Sequence, residues 1–325
     1  MKILITGSSG YIGSCLYETI KNKYNVFTID KEAFNTNNHF KLDLNKSKKV
    51  LHNLKNKKID IIVHLAGQST IDNINKKKSY ILNNTVSTKK LVHVASILNI
   101  NKIIFASTAA VYKSSNRLLS EKSKIEPKNI YSSTKMKCEN IIKKEFSKKN
   151  KSYLIFRFFN VCGSLYEFKT GEMHEPETHL IPLLIKKILR GEKFKIYGSD
   201  YKTKDGTCIR DYIHIKDLCN AHLKAIKYMK RKNLKEVLNI GSSKGYSVLQ
   251  VIHQALRIIK NPKFYYQYTN KRRGDLPFLV CSIKKVTNIL KWRPRNSSLK
   301  KILMSEIKWQ KYLINKKKIN LKSIY

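Results

Sequence analysis

An apolar run, Ile3-Leu-Ile-Thr6, passes straight into Gly7-Ser-Ser-Gly10-Tyr-Ile-Gly13, and the segment from Tyr11 to about Lys23 then has the periodicity of a helix. A strand, a glycine turn and a helix in that order form a cradle for the pyrophosphate of a dinucleotide. Glycines let the backbone approach the phosphates, and the helix N-terminus supplies N–H groups and a favourable dipole. The spacing is GxxGxxG rather than GxGxxG.

The chain goes on in the same alternation. Asn25-Val-Phe-Thr-Ile29 reads as a second strand ended by Asp30, whose carboxylate suits an adenosine ribose diol and repels a 2′-phosphate, favouring NAD over NADP. Lys31 beside it weakens that preference a little. Asp43-Leu44 ends a third short strand and would flank an adenine, although Asp43 is equally well explained as a helix N-cap. Ile59 to Leu65 is a fourth strand with Ala66-Gly67 at its carboxyl end, and His64 within it reads as a packed residue. A long helix carrying Asn83-Asn84 leads to the strand Lys102 to Ala106, followed by Ser107-Thr108. Ser152 to Arg157 is the sixth strand, from which Phe158-Phe-Asn160 emerges. Strands alternating with helices predict an α/β fold, a Rossmann-like doubly wound parallel sheet. Residues 1–165 are assigned to it, with 208–240 packing back onto it, and 166–325 to a smaller α/β substrate domain.

Tyr131-Ser-Ser-Thr-Lys135 opens another segment of helical period, continued by Met136, Cys138, Ile141 and Ile142. Residues four apart share a helix face, so the phenol and the ammonium stand side by side. A free tyrosine, with a pKa of about 10, is a poor base at neutral pH, but a held cation favours the phenolate and is expected to bring it down. Such a base takes a proton from a sugar or alcohol hydroxyl while hydride leaves the same carbon. An ordinary amphipathic helix would show the same spacing. Its place about 120 residues after the glycine turn separates the two readings.

Of the 325 residues 42% are hydrophobic, enough for one large or two medium cores. A formal charge of +44 points first to nucleic acid or an acidic membrane. The lysines, however, run from Lys2 to Lys322 in doublets and triplets between apolar runs, and Asn and Ile are abundant too. The charge therefore reads as a bias of the whole composition, with no nucleic-acid partner, though it would help attract an anionic substrate. No apolar run approaches the roughly 20 residues of a membrane span, and the N-terminus is too short for a signal sequence. Six cysteines without CxxC or framework spacing fit a reducing, cytoplasmic setting.

After Gly163 the character changes. Thr170-Gly-Glu-Met-His-Glu-Pro-Glu-Thr-His179 precedes a helix from Leu180 to Arg190. Its two histidines and three glutamates lack HExxH spacing, and Pro176 keeps a helix from aligning the histidines, so no metal is expected. A strand from Phe194, a turn at Asp205-Gly206 and a second strand carrying Arg210 follow. Arginine's planar fork suits a diphosphate, although a local ion pair with Asp211 accounts for it as well. Later come a helix from Lys216 to Met229, the strand Val237 to Ile240, a helix from Ser247 to Ile259, the strand Phe264 to Tyr268, and helices near 283–290 and 299–313. The tail from Asn315 is expected to fray.

Three stretches carry a resemblance: Gly171 to Pro182; Tyr197-Gly-Ser-Asp-Tyr through Asp205-Gly-Thr-Cys-Ile-Arg-Asp-Tyr-Ile-His214 with Asp217-Leu218; and Arg273-Gly-Asp-Leu-Pro277. With the glycine turn and the Tyr131/Lys135 pair, nearly the whole chain resembles the extended short-chain dehydrogenase/reductases, and within them the UDP-glucose 4-epimerase family. That resemblance implies Tyr131 as base, Lys135 as the group that lowers its pKa and holds the nicotinamide ribose, and Thr108 near the sugar O4. Asn160, Leu180, Tyr197, Arg210, Arg272 and Asp275 fall where the family binds uridine diphosphate, and His179, Lys195 and Ile196 beside them are assigned to the same ligand. Gly7, Gly10, Gly13, Asp30, Asp43, Leu44, Ala66 and Asn84 match its NAD contacts. Tyr11, Ile12, Leu65, Gly67, Ser107 and Phe158 are assigned to the cofactor with them. The family also implies a homodimer through helices around 84–98 and 134–149.

Two departures qualify the match. Gln68 and Ser69 follow Ala66-Gly67 where many relatives have a lysine nearby, and Leu279 occupies the position that governs room for an N-acetyl group, leaving UDP-N-acetylglucosamine or UDP-xylose as alternative substrates. Nucleotide-sugar dehydratases need an acid/base pair after the threonine, whereas here Thr108 is followed by Ala109-Ala110. A non-catalytic NAD-sensing or nucleic-acid-associated protein would have little reason to keep Thr108, Tyr131 and Lys135 together.

Overall fold

A computed structural model describes residues 1–69, 77–173, 176–272 and 275–322, with side chains in the last helix described as far as Lys316. His174, Glu175, Arg273 and Gly274 of the motifs above lie outside the described residues. The first part runs β1 (Lys2–Thr6), α1 (Tyr11–Ile20), β2 (Asn25–Asp30), β3 (His39–Lys41), α2 (Ser47–Leu54), β4 (Ile61–His64) and α3 (Lys77–Tyr80). A π-helical turn (Ile81–Val86) follows, then α4 (Ser87–Ile97), β5 (Lys102–Thr108), α5 (Ile130–Phe146), β6 (Ser152–Phe158) and β7 (Asn160–Cys162). The rest comprises α6 (Leu180–Arg190), β8 (Phe194–Tyr197), β9 (Ile209–His214), α7 (Ile215–Arg231), β10 (Lys235–Ile240), β11 (Gly245–Ser247), α8 (Val248–Ile258), β12 (Tyr266–Thr269), β13 (Phe278–Leu279), α9 (Lys284–Leu290) and α10 (Leu299–Lys322).

Seven parallel strands form the main sheet in the order β10-β6-β5-β4-β1-β2-β3. β1 is interior because both its faces are apolar. Ile3 and Ile5 enter one core with α1 and α7, and Leu4 enters the other with α2, α4 and α5. Each such buried side chain contributes roughly 1.5–3 kcal/mol. The order reverses beside β1, since β2 lies on one side and β4 on the other, and a crevice opens above its carboxyl end.

β9 belongs to a smaller sheet with β7, β11 and β13, while β10 lies beside β6 and α7 packs on α1. A third core, formed by α6, β8, α8 and α10, stands apart from the main sheet. Two boundaries differ from the sequence reading. β3 stops at Lys41, before Asp43-Leu44, and the last helix continues to Lys322 instead of fraying from Asn315. Lys, Ile, Asn and Leu sustain that helix, none being a strong breaker. Asp43 caps no helix. α2 starts at Ser47 with Lys46 at its cap, and the Asp43 carboxylate instead accepts from the Asn45 backbone N–H at 2.8 Å.

Candidate functional site

Gly7 turns the chain with φ +77°, and a Cβ there would lie 2.6 Å from the Ala66 nitrogen. A Cβ on Gly13 would lie 2.0 Å from the Gly7 carbonyl oxygen, so this glycine is needed for α1 to pack against the turn. Gly10 is different: a Cβ would meet only the Gly7 oxygen, at an ordinary 3.5 Å. Its bareness serves the crevice rather than the packing. Gly7, Ser9 and Gly10 line a cavity of about 320 Å³ whose other walls include Asp30, Leu44 and Gly67. The Asp30 carboxylate is anchored by the Ser9 backbone N–H at 3.0 Å, so it faces the turn as a ribose-binding acid must. Leu65, Ala66 and Asp43 also line the space. These residues fit an adenine dinucleotide: a glycine cradle at a helix N-terminus with a carboxylate one strand over.

Other residues assigned to the cofactor have partners within the protein. The Tyr11 hydroxyl donates to the Gly163 carbonyl at 2.5 Å, and Ile12 packs against the first core. Phe158 is buried against His222, their ring centroids 5.7 Å apart. Asn84 is 1% exposed; its Oδ1 accepts from the Gln68 N–H at 2.7 Å and its Nδ2 donates to Thr134 at 3.0 Å. Its side chain therefore fastens the 66–68 turn to α5. The π-helical turn allows this by displacing Asn84 from the register of an ordinary helix.

α5 begins with a capping box, Asn129 and Ser132 satisfying each other's backbone N–H groups, which sets Tyr131 in its first turn. Cys138, Ile142 and Phe146 anchor the helix in the core. The same buried face carries Tyr131, Lys135 and Glu139 at four-residue intervals, and each reaches the end of β5. Tyr131 shares a hydrogen bond with Thr108, Lys135 Nζ donates to the Ala106 carbonyl at 2.8 Å, and Glu139 accepts from Ser107 Oγ at 2.6 Å. Ser107 is thus committed to Glu139, which also takes both ends of the Arg157 guanidinium at 2.9 and 2.7 Å. Glu139 and Arg157 were not singled out in the sequence. The continuation of the Tyr131/Lys135 interval to a third polar residue was the available signal.

One expectation is overturned. Burial pushes the Tyr131 phenol up to about 12, the Thr108 hydrogen bond pulling it back only in part. Lys135 does not offset this, because its ammonium sits on the Ala106 carbonyl and 4.8 Å from the Phe105 ring centre, where burial lowers its own pKa. Spacing placed the two side chains on one face but said nothing of which acceptor the ammonium would choose.

In the later part of the chain, Arg210 meets the Leu276 carbonyl at 2.5 Å and Asp275 at 3.5 Å, and Arg272 lies 3.7 Å over the Tyr197 ring. These four residues, assigned separately from sequence, are brought together. Asn160 donates to the Asp211 carbonyl at 2.9 Å. The local Arg210–Asp211 pair does not form. Strand alternation turns Asp211 inward, fully buried, where it accepts from Ser242, Ser243 and Cys281. Lys195 and Tyr197 are exposed along β8, whereas Ile196 is buried in the third core and has only its backbone to offer. Leu279 pairs in register with Arg210 and packs against the small core that includes Ala109.

His179 precedes Leu180, the first residue of α6, and makes no side-chain cap. Its Nδ1 lies 2.7 Å from Glu172 and 3.3 Å from Glu177. The loop therefore gathers three ligand-type groups, one histidine and two glutamates, within 4.8 Å of one another, because the chain folds back without needing a helix. Burial pulls the His179 pKa down, but the two carboxylates more than offset it and raise it to about 10, so the cluster carries its own cation. Behind it, fully buried Glu306 on α10 is held by Gln310 at 2.8 Å. Burial, joined by the nearby Glu172 and Glu177 charges, pushes Glu306 up from 4.5 to about 8. An acid raised in this way favours the fold while protonated, a contribution complete below about pH 4.5 and lost as pH climbs through about 8. Melting temperature is therefore expected to fall between about pH 5 and pH 9, and Glu306→Gln to flatten that fall. Parallel slopes in differential scanning calorimetry would remove Glu306 as its source.

The model of the NAD dependent epimerase/dehydratase family matches residues 3–241. The chain is 33% identical over 324 residues to a UDP-glucose 4-epimerase of Lactobacillus helveticus, covering 96% of this chain and 97% of the other. A crystal structure of a UDP-glucose 4-epimerase superposes with a TM-score of 0.91 at 31% identity, over 97% of this chain and 99% of that one. The Bifidobacterium longum UDP-glucose 4-epimerase, solved in complex with NAD+ and UDP, does so with a TM-score of 0.87 at 26% identity, over 96% and 98%.

Proposed function

The chain belongs to the NAD dependent epimerase/dehydratase family, and we infer from this that it is an NAD-dependent 4-epimerase interconverting UDP-glucose and UDP-galactose. The observation that carries the reading is the α5 face laid along the last residues of β5, which sets Tyr131 against Thr108 while Lys135 reaches Gly67 in the wall of the glycine-lined crevice. Gly7, Gly10 and Asp30 would hold NAD, which supplies the hydride acceptor and a positive charge. Thr108 and Tyr131 bind the sugar's 4-hydroxyl, and Tyr131 takes its proton in one half-reaction and returns it to the 4-keto oxygen in the other. Lys135, against Gly67 and the Ala106 carbonyl, holds the nicotinamide end of the crevice. Arg210 and Arg272 pair with the diphosphate, and the imidazolium of His179 stands near the uncapped start of α6. Asp275 and Tyr197 fix the two guanidinium groups.

We assign residues 1–165, with α7 and β10, to the cofactor half and the remainder of 166–325 to the substrate half. We further infer a homodimer, since Leu82 and Ile97, 47% and 50% exposed, lie on or beside α4 and offer apolar surface to a second copy. Sedimentation at 37.9 kDa instead of twice that would rule it out. The six buried, unpaired cysteines suit the reducing cytoplasm, and we assign the surplus positive charge no nucleic-acid partner. Retention on single-stranded RNA at physiological salt would contradict that last assignment.

The test is incubation of purified protein with UDP-glucose, UDP-N-acetylglucosamine and UDP-xylose separately, with no cofactor added. UDP-galactose is expected to form, and denatured protein to release NAD(H). Faster turnover of UDP-N-acetylglucosamine would move the assignment to that sugar and make Leu279 permissive. No turnover of any of the three would sink it.

A further inference from the structure

Lys31 and Asn83 belong to opposite walls of the cofactor crevice. Lys31 directly follows β2, on one side of β1, and Asn83 lies in the π-helical turn after β4, on the other. Yet Lys31 Nζ donates to Asn83 Oδ1 at 2.8 Å and lies 3.4 Å from the Asp43 carboxylate. The connection therefore passes over the turn that follows β1, and all three residues line the cavity there. Asn83 is in turn held from behind, its Nδ2 donating to Ser79 Oγ at 3.0 Å, while Ser79 donates to Gln68 Oε1 at 2.8 Å. Gln68 thus braces this connection and supplies no charge of its own.

We propose that Lys31 and Asn83 form a latch across the cofactor crevice, which must open before NAD can enter or leave. The inference rests on NAD occupying the glycine cradle. A reaction that returns its hydride to the same sugar carbon has no need to exchange cofactor, so a latch that slows release costs nothing in turnover. Half the Lys31 side chain is solvent-exposed, so the latch can open without unfolding the wall behind it, and salt should weaken its charged part.

The experiment follows loss of bound NAD from the purified holoenzyme after rapid dilution, as nucleotide recovered by ultrafiltration. Lys31→Ala and Asn83→Ala are each expected to release NAD about 10-fold faster, the size of one charge-assisted hydrogen bond. The double variant should release no faster than either alone, because both remove the same contact. Lys31→Arg should restore slow release, and raised salt should speed the wild type more than the variants. Wild-type release rates in both alanine variants would overturn the latch. So would an effect of Lys31→Ala alone, which would make Lys31 an isolated attractive charge. A wild-type protein that takes up no NAD at all would instead refute the cofactor reading, and the latch with it.

Discussion

Tyr131→Phe is expected to lower the rate of 4-epimerisation at least about 100-fold, the usual worth of a positioned general base, while bound NAD stays in place. The substitution removes one oxygen and keeps the ring, so the capping box at Asn129 and the apolar anchors of α5 are untouched. Lys135 should keep its hold on the Ala106 carbonyl, since that bond does not involve the phenol. The raised pKa adds a second signature. With burial holding the phenol near 12, only a small fraction is phenolate at neutral pH unless the positive charge of bound cofactor draws it down. Basic pH increases that fraction, so kcat/KM of the wild type should rise from about pH 6 toward pH 9, and the slope should vanish in Tyr131→Phe. A variant that epimerises at near the wild-type rate would strip Tyr131 of its role as base.

Arg157→Ala is expected to destabilise the protein by roughly 3–5 kcal/mol in chemical denaturation, the cost of leaving one half of a buried ion pair. Glu139 is fully buried and Arg157 is 3% exposed, with two hydrogen bonds between them. Burial pushes the Glu139 carboxyl up, but Arg157 and Ser107 more than offset it and hold it below the usual range. Without Arg157 the buried carboxylate loses its main compensation and must either stay charged and unpaired or take up a proton, each at a cost to the fold. The nearest other cation, Lys143, is 3.5 Å away and one-third exposed. Replacing both partners, Glu139→Leu with Arg157→Met, should recover most of the loss because no buried charge is left behind. Activity should fall in the single variant as well, since Glu139 ties Ser107, the residue before Thr108, to the helix that carries Tyr131. A change below about 1 kcal/mol would show that the pair is solvated in solution and does not hold the two elements together.

Much of the architecture could be read along the chain. The strand at Ile3, the glycines after it and the acid at Asp30 announced a nucleotide crevice, because hydrophobic period and glycine placement are local properties of the polypeptide. The helix Leu180 to Arg190 was read to its last residue, its apolar stripe and the following Gly191 marking both face and end. Spacing alone also put Tyr131 and Lys135 on one face. It did not assign acceptors. Nothing along the chain told that the side chains of Ser107 and Asn84, assigned to the cofactor, would also bond Glu139, Gln68 and Thr134. Asp211 looked like a partner for its neighbour Arg210 and proved to be the buried junction of three distant segments.

Residue order along this chain settled which elements form and which face of each is buried, since those follow from steric preference and apolar period over a few neighbouring residues. Folding alone chose the partner of each buried polar atom, the connection from Lys31 to Asn83, and the protonation of Tyr131 and Glu306. Hydrogen bonds between residues far apart in sequence exist only after crossovers have brought their strands together, and a pKa answers to the water and charge that the assembled core leaves around it.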